Sequence, residues 1–273
     1  MTTPHLPLII EPDALQALLG TPGLLIIDLC KPDTYAKAHV PGAIHLGYAQ
    51  LIAMQQPVMG LLPDADTLSQ LFSRIGLTPE TQVIAYDEEG GGAAARLLWT
   101  LDAIGHPKAS LLNGGLHAWL KEGHPVDNTP TAPTPSRYHA SIVGAPIANR
   151  QFIHEHLDDD SVVLLDSRSP EEYRGERKFA ARAGRIPGAV NLDWFNVMDQ
   201  QRNMRLKPEA ELRALMDARG ITRNKTIVTY CQSHHRSALT YFALKVLGYP
   251  NIKGYPGSWS DWGNAEDTPV EMG

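Results

Sequence analysis

The stretch Leu25-Ile26-Ile27-Asp28-Leu29-Cys30-Lys31-Pro32-Asp33-Thr34-Tyr35 returns in altered form as Val163-Leu164-Leu165-Asp166-Ser167-Arg168-Ser169-Pro170-Glu171-Glu172-Tyr173. Asp28, Pro32 and Tyr35 fall on Asp166, Pro170 and Tyr173. Working outward, Val40-Pro41-Gly42-Ala43-Ile44-His45-Leu46 answers to Ile186-Pro187-Gly188-Ala189-Val190-Asn191-Leu192, and Val83-Ile84-Ala85-Tyr86 to Ile227-Val228-Thr229-Tyr230. Gly105, Pro107, Gly114 and Trp119 match Gly248, Pro250, Gly257 and Trp262 at a constant spacing. A repeat of this length is a duplicated domain and not a solenoid module.

Within each half, short β-branched runs alternate with helical patterns. In the second half, Val162–Leu165 and Thr226–Tyr230 read as buried parallel strands, and Pro208–Arg219 and Ser237–Leu247 as amphipathic helices. That order predicts α/β architecture, each domain a mostly parallel sheet with helices on both faces. Thr129-Pro-Thr-Ala-Pro-Thr-Pro-Ser136 lacks apolar periodicity and reads as a semi-extended linker. The expected division is a first domain over 1–130, a linker over 131–150 and a second domain over 151–273.

Two domains also suit a chain of 273 residues, at roughly 100–200 residues per domain. With 24 Lys+Arg against 30 Asp+Glu, the formal charge of −6 argues against a nucleic-acid or polyanion binder. Hydrophobic residues at 43% suffice for a core. No apolar run approaches the ~18 residues that span a membrane, and the first residues carry no basic leader, so a cytoplasmic protein is the expectation. Cys30 and Cys231 are the two cysteines, too few and too far apart in sequence for a disulfide framework or a zinc site.

The chemistry concentrates in Tyr230-Cys231-Gln232-Ser233-His234-His235-Arg236-Ser237. A strand ending at Tyr230 and a helix starting near Ser237 put Cys231 at the carboxyl end of a strand, where open α/β sheets carry their sites. The unpaired amides of the helix N-terminus favour an anion, and a thiolate is one. With Arg236 nearby, Cys231 is expected to ionise below the ordinary cysteine pKa of about 8.5 and to act as a nucleophile without a separate base.

The Cys-x4-Arg-Ser loop, the Ile-Pro-Gly-Ala segment, the Gly-x4-Trp near the end of each half and the duplication together resemble the tandem-domain rhodaneses, thiosulfate sulfurtransferases, over nearly the whole chain. The resemblance implies double displacement. The Cys231 thiolate takes the outer sulfur of thiosulfate, and the persulfide passes it to cyanide or another thiophilic acceptor. It makes Gln232, Ser233, His234, His235, Arg236 and Ser237 the substrate-binding loop, with no cofactor and no metal, and a monomer is expected. Tyr35 and Pro41 enclose five residues where Tyr173 and Pro187 enclose thirteen, an insertion that brings Arg174, Arg177, Lys178, Arg182 and Arg185. Related mercaptopyruvate sulfurtransferases place substrate-binding arginines there, which makes Arg182 and Arg185 candidates.

The first half departs from the pattern: Asp87 stands at the place of Cys231 and Gly92 at that of Arg236, with Glu88 and Glu89 between. A carboxylate forms no stable persulfide, and the acidic residues repel thiosulfate, so this half is expected to be silent. Cys30, aligned with Arg168, reads as a structural thiol. His154 and His156 lie at a helix start without further ligands and read as a solvated face. Gly90-Gly91-Gly92 lacks the Lys-Ser/Thr of a phosphate loop. Three other functions compete. A mercaptopyruvate sulfurtransferase typically carries Cys-Gly-Ser/Thr-Gly-Val in its loop. A Cys-x5-Arg phosphatase or arsenate reductase needs one more loop residue. A persulfide carrier would hand its sulfur to a partner protein.

Overall fold

The computed structural model describes residues 6–273, which form two compact units. One comprises the described residues up to Leu51, Pro63–Val143 and Asp199–Leu206; the other comprises Ile52–Leu62, Gly144–Met198 and Lys207–Gly273. Each unit therefore takes one short segment from the opposite half of the chain, an exchange that a single cut near the linker does not express.

The first unit is built on a five-stranded sheet in the order Ile9–Ile10, Ala109–Leu112, Gln82–Tyr86, Leu24–Asp28, Ile44–His45, every pair parallel. In the second, the order is Ile252–Gly254, Thr226–Tyr230, Val162–Asp166, Val190–Asn191, again all parallel. Parallel neighbours need crossovers, and helices supply them, which is why strand and helix alternate along the sequence. The expected α/β architecture is observed in both halves. Thr226–Tyr230 is a strand over the predicted residues, and the predicted helices run over Glu209–Asp217 and Arg236–Val246.

Successive strand residues point to opposite faces, and here both faces are covered. On one face of the second sheet, Leu164 and Val228 pack with Ile153, Trp259 and Trp262. Leu165 and Ile227, one residue along, are fully buried on the other. The helix Arg236–Val246 packs on strands Thr226–Tyr230 and Ile252–Gly254. The first unit repeats the scheme, with Ile26 and Ile84 against Leu15, Leu116 and Trp119. Each aliphatic side chain so buried contributes roughly 1.5–3 kcal/mol of transfer free energy.

The Pro/Thr-rich stretch has neither helix nor strand and runs as a strap along the first unit. Ser136 N–H donates to Ser73 O at 2.8 Å, Tyr138 N–H to Ser73 Oγ at 2.9 Å, and Ala140 N–H to Ser69 Oγ at 2.9 Å. Among the described residues, no helix is long and apolar enough to cross a membrane.

Candidate active site

Cys231 directly follows the strand Thr226–Tyr230, whose last residue pairs with Asp166 of the neighbouring strand. The loop then turns back through His234, in the left-handed region at φ 53°, and His235 caps the helix Arg236–Val246. The first half uses Gly90, at φ 99°, where this loop has His234. Only glycine takes that conformation without strain, so a buried histidine there is held by its surroundings. Its Nδ1 lies 2.8 Å from Ser237 Oγ, and its amide donates to Ser258 Oγ at 3.1 Å.

Ser258 is the central strut of the loop. Its hydroxyl also accepts the Cys231 amide at 3.2 Å and donates to Tyr255 O at 2.7 Å. The next two residues continue the attachment, Trp259 N–H to Cys231 O and Ser260 N–H to Gln232 O, each at 3.0 Å. The helix Ser258–Trp262 is thus tied to the nucleophile by main chain. Sequence reasoning missed Ser258. Its signal lay in the repeat, because Gly257-Ser258 aligns with Gly114-Gly115 and the first half has no hydroxyl there.

Cys231 is buried, 1% exposed. Burial opposes ionisation, but the Arg236 charge, the Ser237 hydroxyl and the amides of Ser237 and Ser233 favour the anion, and their sum holds the thiol below its ordinary value. Arg236 itself is fixed by Glu172, whose two oxygens accept its two terminal nitrogens at 2.6 and 2.9 Å. Glu172 also closes a capping box with Ser169 at the start of helix Pro170–Arg174. Two partners hold it ionised against burial, and its pKa is lowered. Glu172, a second residue missed from sequence, has Thr34 as its counterpart in the repeat, just as Arg236 has Gly92.

The remaining predicted residues fall into two groups. Gln232 Nε2 donates to Phe179 O at 3.1 Å, and the His235 ring meets Trp194 edge-on at 5.9 Å. Both belong to the loop. Arg182 and Arg185 are engaged with the end of the chain: Arg182 donates to Trp262 O at 2.8 Å and to Ala265 and Thr268. Arg185 donates to Gly273 O at 2.5 Å, pairs with Glu271 and lies over the Tyr173 ring at 4.4 Å.

In the first half, the corresponding loop holds a carboxylate. Asp87 is buried and accepts amides of Glu89 at 3.0 Å, Gly91 at 2.8 Å and Ala94 at 2.9 Å. Burial and the Glu89 charge nonetheless push its carboxyl up. Cys30 is 3% exposed and its amide donates to Asp28 at 2.7 Å; burial, then the Asp28 charge, drive its thiol far above the ordinary range. A thiol so placed is inert at neutral pH. His156 Nδ1 donates to Phe152 O at 2.7 Å, and His154 lies 6.5 Å from the Trp262 ring.

Comparison with known proteins finds the Rhodanese-like domain twice, over residues 11–122 and 150–265. A thiosulfate sulfurtransferase of Azotobacter vinelandii is 45% identical, and one of Pseudomonas aeruginosa 42%; each alignment covers 98% of both chains. The sulfur carrier protein TtuD of Thermus thermophilus is 32% identical, also over 98% of both chains.

Proposed function

This chain belongs to the rhodanese family, and on that footing we propose that it moves the sulfane sulfur of thiosulfate to a thiophilic acceptor through a persulfide on Cys231. The observation that carries the reading is the environment of Cys231: a thiol at a strand end whose anion is favoured by Arg236, the Ser237 hydroxyl and the amides of Ser233 and Ser237.

The Cys231 thiolate attacks the outer sulfur of thiosulfate. The bond between the two thiosulfate sulfurs breaks, and sulfite leaves with the electron pair. The same donors that favour the thiolate then face the persulfide anion. Cyanide or a thiolate attacks the terminal sulfur, forming thiocyanate or a new persulfide, and Cys231 returns as thiolate. No external oxidant or base enters either half-reaction.

Arg236, set by Glu172, supplies the positive charge for the dianionic donor, and Gln232, Ser233, His234, His235 and Ser237 form the rest of its surroundings. Arg182 and Arg185 brace the segment 262–273 in this reading, because their terminal nitrogens are engaged there. Asp87 occupies the amide cradle of the first half, which leaves that half without sulfur chemistry. The acidic chain is expected to act as a cytoplasmic monomer. Cys231→Ala should abolish thiocyanate formation from thiosulfate and cyanide; appreciable turnover by that variant would exclude the persulfide route.

The full-length relative named a sulfur carrier supports a second reading, in which the Cys231 persulfide is handed to a protein. Saturation of turnover by a small-molecule acceptor separates the two. A mercaptopyruvate donor is disfavoured by the residue after the nucleophile, Gln232 where glycine is typical.

A further inference from the structure

We propose that the hairpin Ala53–Leu61, carried by the first half of the sequence, positions the Cys231 loop, and that Gly60 is the residue on which this depends. The inference rests on Cys231 being the sulfur-bearing residue, and it names a structural element that the nucleophile needs and that lies outside the catalytic half of the chain.

The hairpin pairs Ala53–Gln55 with Val58–Leu61 in antiparallel fashion and belongs to the second compact unit. Two contacts tie it to the site. Met59 N–H donates to Ser260 Oγ at 2.9 Å, and the Met59 carbonyl lies 3.0 Å from the same hydroxyl. Ser260 is also the residue whose amide holds Gln232 O. The hairpin, the helix Ser258–Trp262 and the loop therefore form one hydrogen-bonded stack.

The second contact is steric. Gly60 has φ +78°, and a Cβ there would lie 2.8 Å from the Ser233 carbonyl carbon and from the Ser233 Cβ, closer still to the carbonyl oxygen. Side chains other than hydrogen are excluded twice over, by conformation and by space. Ser233 is one of the residues whose amide favours the Cys231 thiolate, so the hairpin backbone presses on a member of the anion cradle.

The first unit contains the converse arrangement. Its segment Asp199–Leu206 comes from the second half of the chain. Leu206 N–H donates to Asn113 Oδ1 at 2.9 Å, and a Cβ on Gly114 would meet Asn203 O at 2.6 Å. Met204 and Leu206 line the same small cavity as Asp87, Gly90 and Gly91. In each half a segment borrowed from the other covers the loop at the strand end. The silent half thus contributes to catalysis through residues 52–62, although Asp87 carries no sulfur.

The test uses the full-length protein with Gly60→Ala, Ser260→Ala and, as a control on the same hairpin, Met54→Ala, whose side chain is 65% exposed. Thiocyanate formation and the pH dependence of Cys231 alkylation are measured together on folded protein. In Gly60→Ala, kcat/KM should fall about tenfold or more, the scale expected when a reacting group is misplaced by a fraction of an ångström to an ångström. The alkylation midpoint should move to higher pH as the cradle loosens, although Arg236, Glu172, His234 and His235 are all retained. A purely global destabilisation would leave the midpoint of the folded protein unmoved. Met54→Ala should match the wild type. If Gly60→Ala does not fold, Ser260→Ala decides, since it removes the anchor and adds no bulk. Wild-type turnover and midpoint in the folded variant overturn the inference. Failure of the wild-type protein itself to load sulfur on Cys231 would instead overturn the functional reading beneath it.

Discussion

Glu172 holds Arg236 with both carboxylate oxygens, at 2.6 and 2.9 Å, while the same carboxylate caps the helix that begins at Pro170. Two segments 64 residues apart are thereby locked at the cation whose charge favours the Cys231 thiolate. Fork-to-fork pairing fixes the guanidinium plane as well as its distance. In the first half neither member is present: Thr34 and Gly92 stand at the aligned positions, and Asp87 at that of Cys231.

Glu172→Gln leaves the side-chain volume but weakens the hold on Arg236. We expect kcat/KM for thiosulfate to fall about tenfold, which corresponds to roughly 1.4 kcal/mol of transition-state stabilisation. Steady-state thiocyanate assays check this; an unchanged kcat/KM would show that Arg236 needs no partner.

The Glu172 carboxyl titrates lower in the folded chain than in the unfolded one. Its stabilising contribution is therefore complete above the ordinary glutamate pKa of about 4.3 and is lost as pH falls through the lower folded value. Urea denaturation followed from pH 7 downward should show a shallower acid decline in Glu172→Gln than in the parent. Parallel curves would place the acid sensitivity elsewhere.

Cys231 should be alkylated with a midpoint below that of a free cysteine, about 8.5. Arg236 is the largest of the groups that favour the thiolate, so Arg236→Gln should carry the midpoint upward. The pH profile of iodoacetamide labelling reads both. The same profile on Cys30 should show no labelling at neutral pH in the folded protein, since that thiol is buried and pushed far up.

Arg168 is 1% exposed, paired with Asp166 at 2.6 Å and stacked 4.5 Å from the Trp259 ring centre. Removing one partner of a buried pair leaves the other charge uncompensated, at a cost of about 3–5 kcal/mol. Arg168→Ala should lower the thermal midpoint strongly. The first half shows the alternative solution: Cys30 replaces the arginine, and burial raises the Asp28 carboxyl toward its neutral form.

Asp87→Ala should leave sulfur transfer within about twofold of the parent while destabilising the first unit, because three amides, those of Gly91 and Ala94 in buried bonds, lose their acceptor. Kinetics and calorimetry on one preparation separate the two effects.

Much of this is legible in the amino-acid sequence alone. The duplication, the strand-loop-helix around Cys231 and the degenerate loop at Asp87 follow from local pattern and from comparing the halves. The covered faces of the sheets follow from strands with consecutive apolar residues, such as Val83-Ile84-Ala85 within Gln82–Tyr86. Glu172 and Gly60 are not legible, because each acts on the loop only where distant segments meet, and no periodicity marks such a meeting; Ser258 left only the faint signal of a hydroxyl where the other half has Gly115. Arg182 and Arg185 illustrate the converse. A basic insertion beside the Cys231 loop suggests steering from sequence alone, whereas the hydrogen bonds of Arg182 to Trp262 O and of Arg185 to Gly273 O come from a segment far along the chain that no local pattern in the insertion announces. The exchange of residues 52–62 and 199–206 between units escapes sequence reading for the same reason, since a linker marks where the chain crosses and not which segments cross back.

The most direct test of sulfur transfer at Cys231 is the intact mass of the protein after incubation with excess thiosulfate and desalting, repeated after cyanide is added. A gain of one sulfur atom, mapped to Cys231 and erased by cyanide, is the predicted result. No gain on Cys231, with the thiol reduced and the protein folded, would contradict the persulfide cycle.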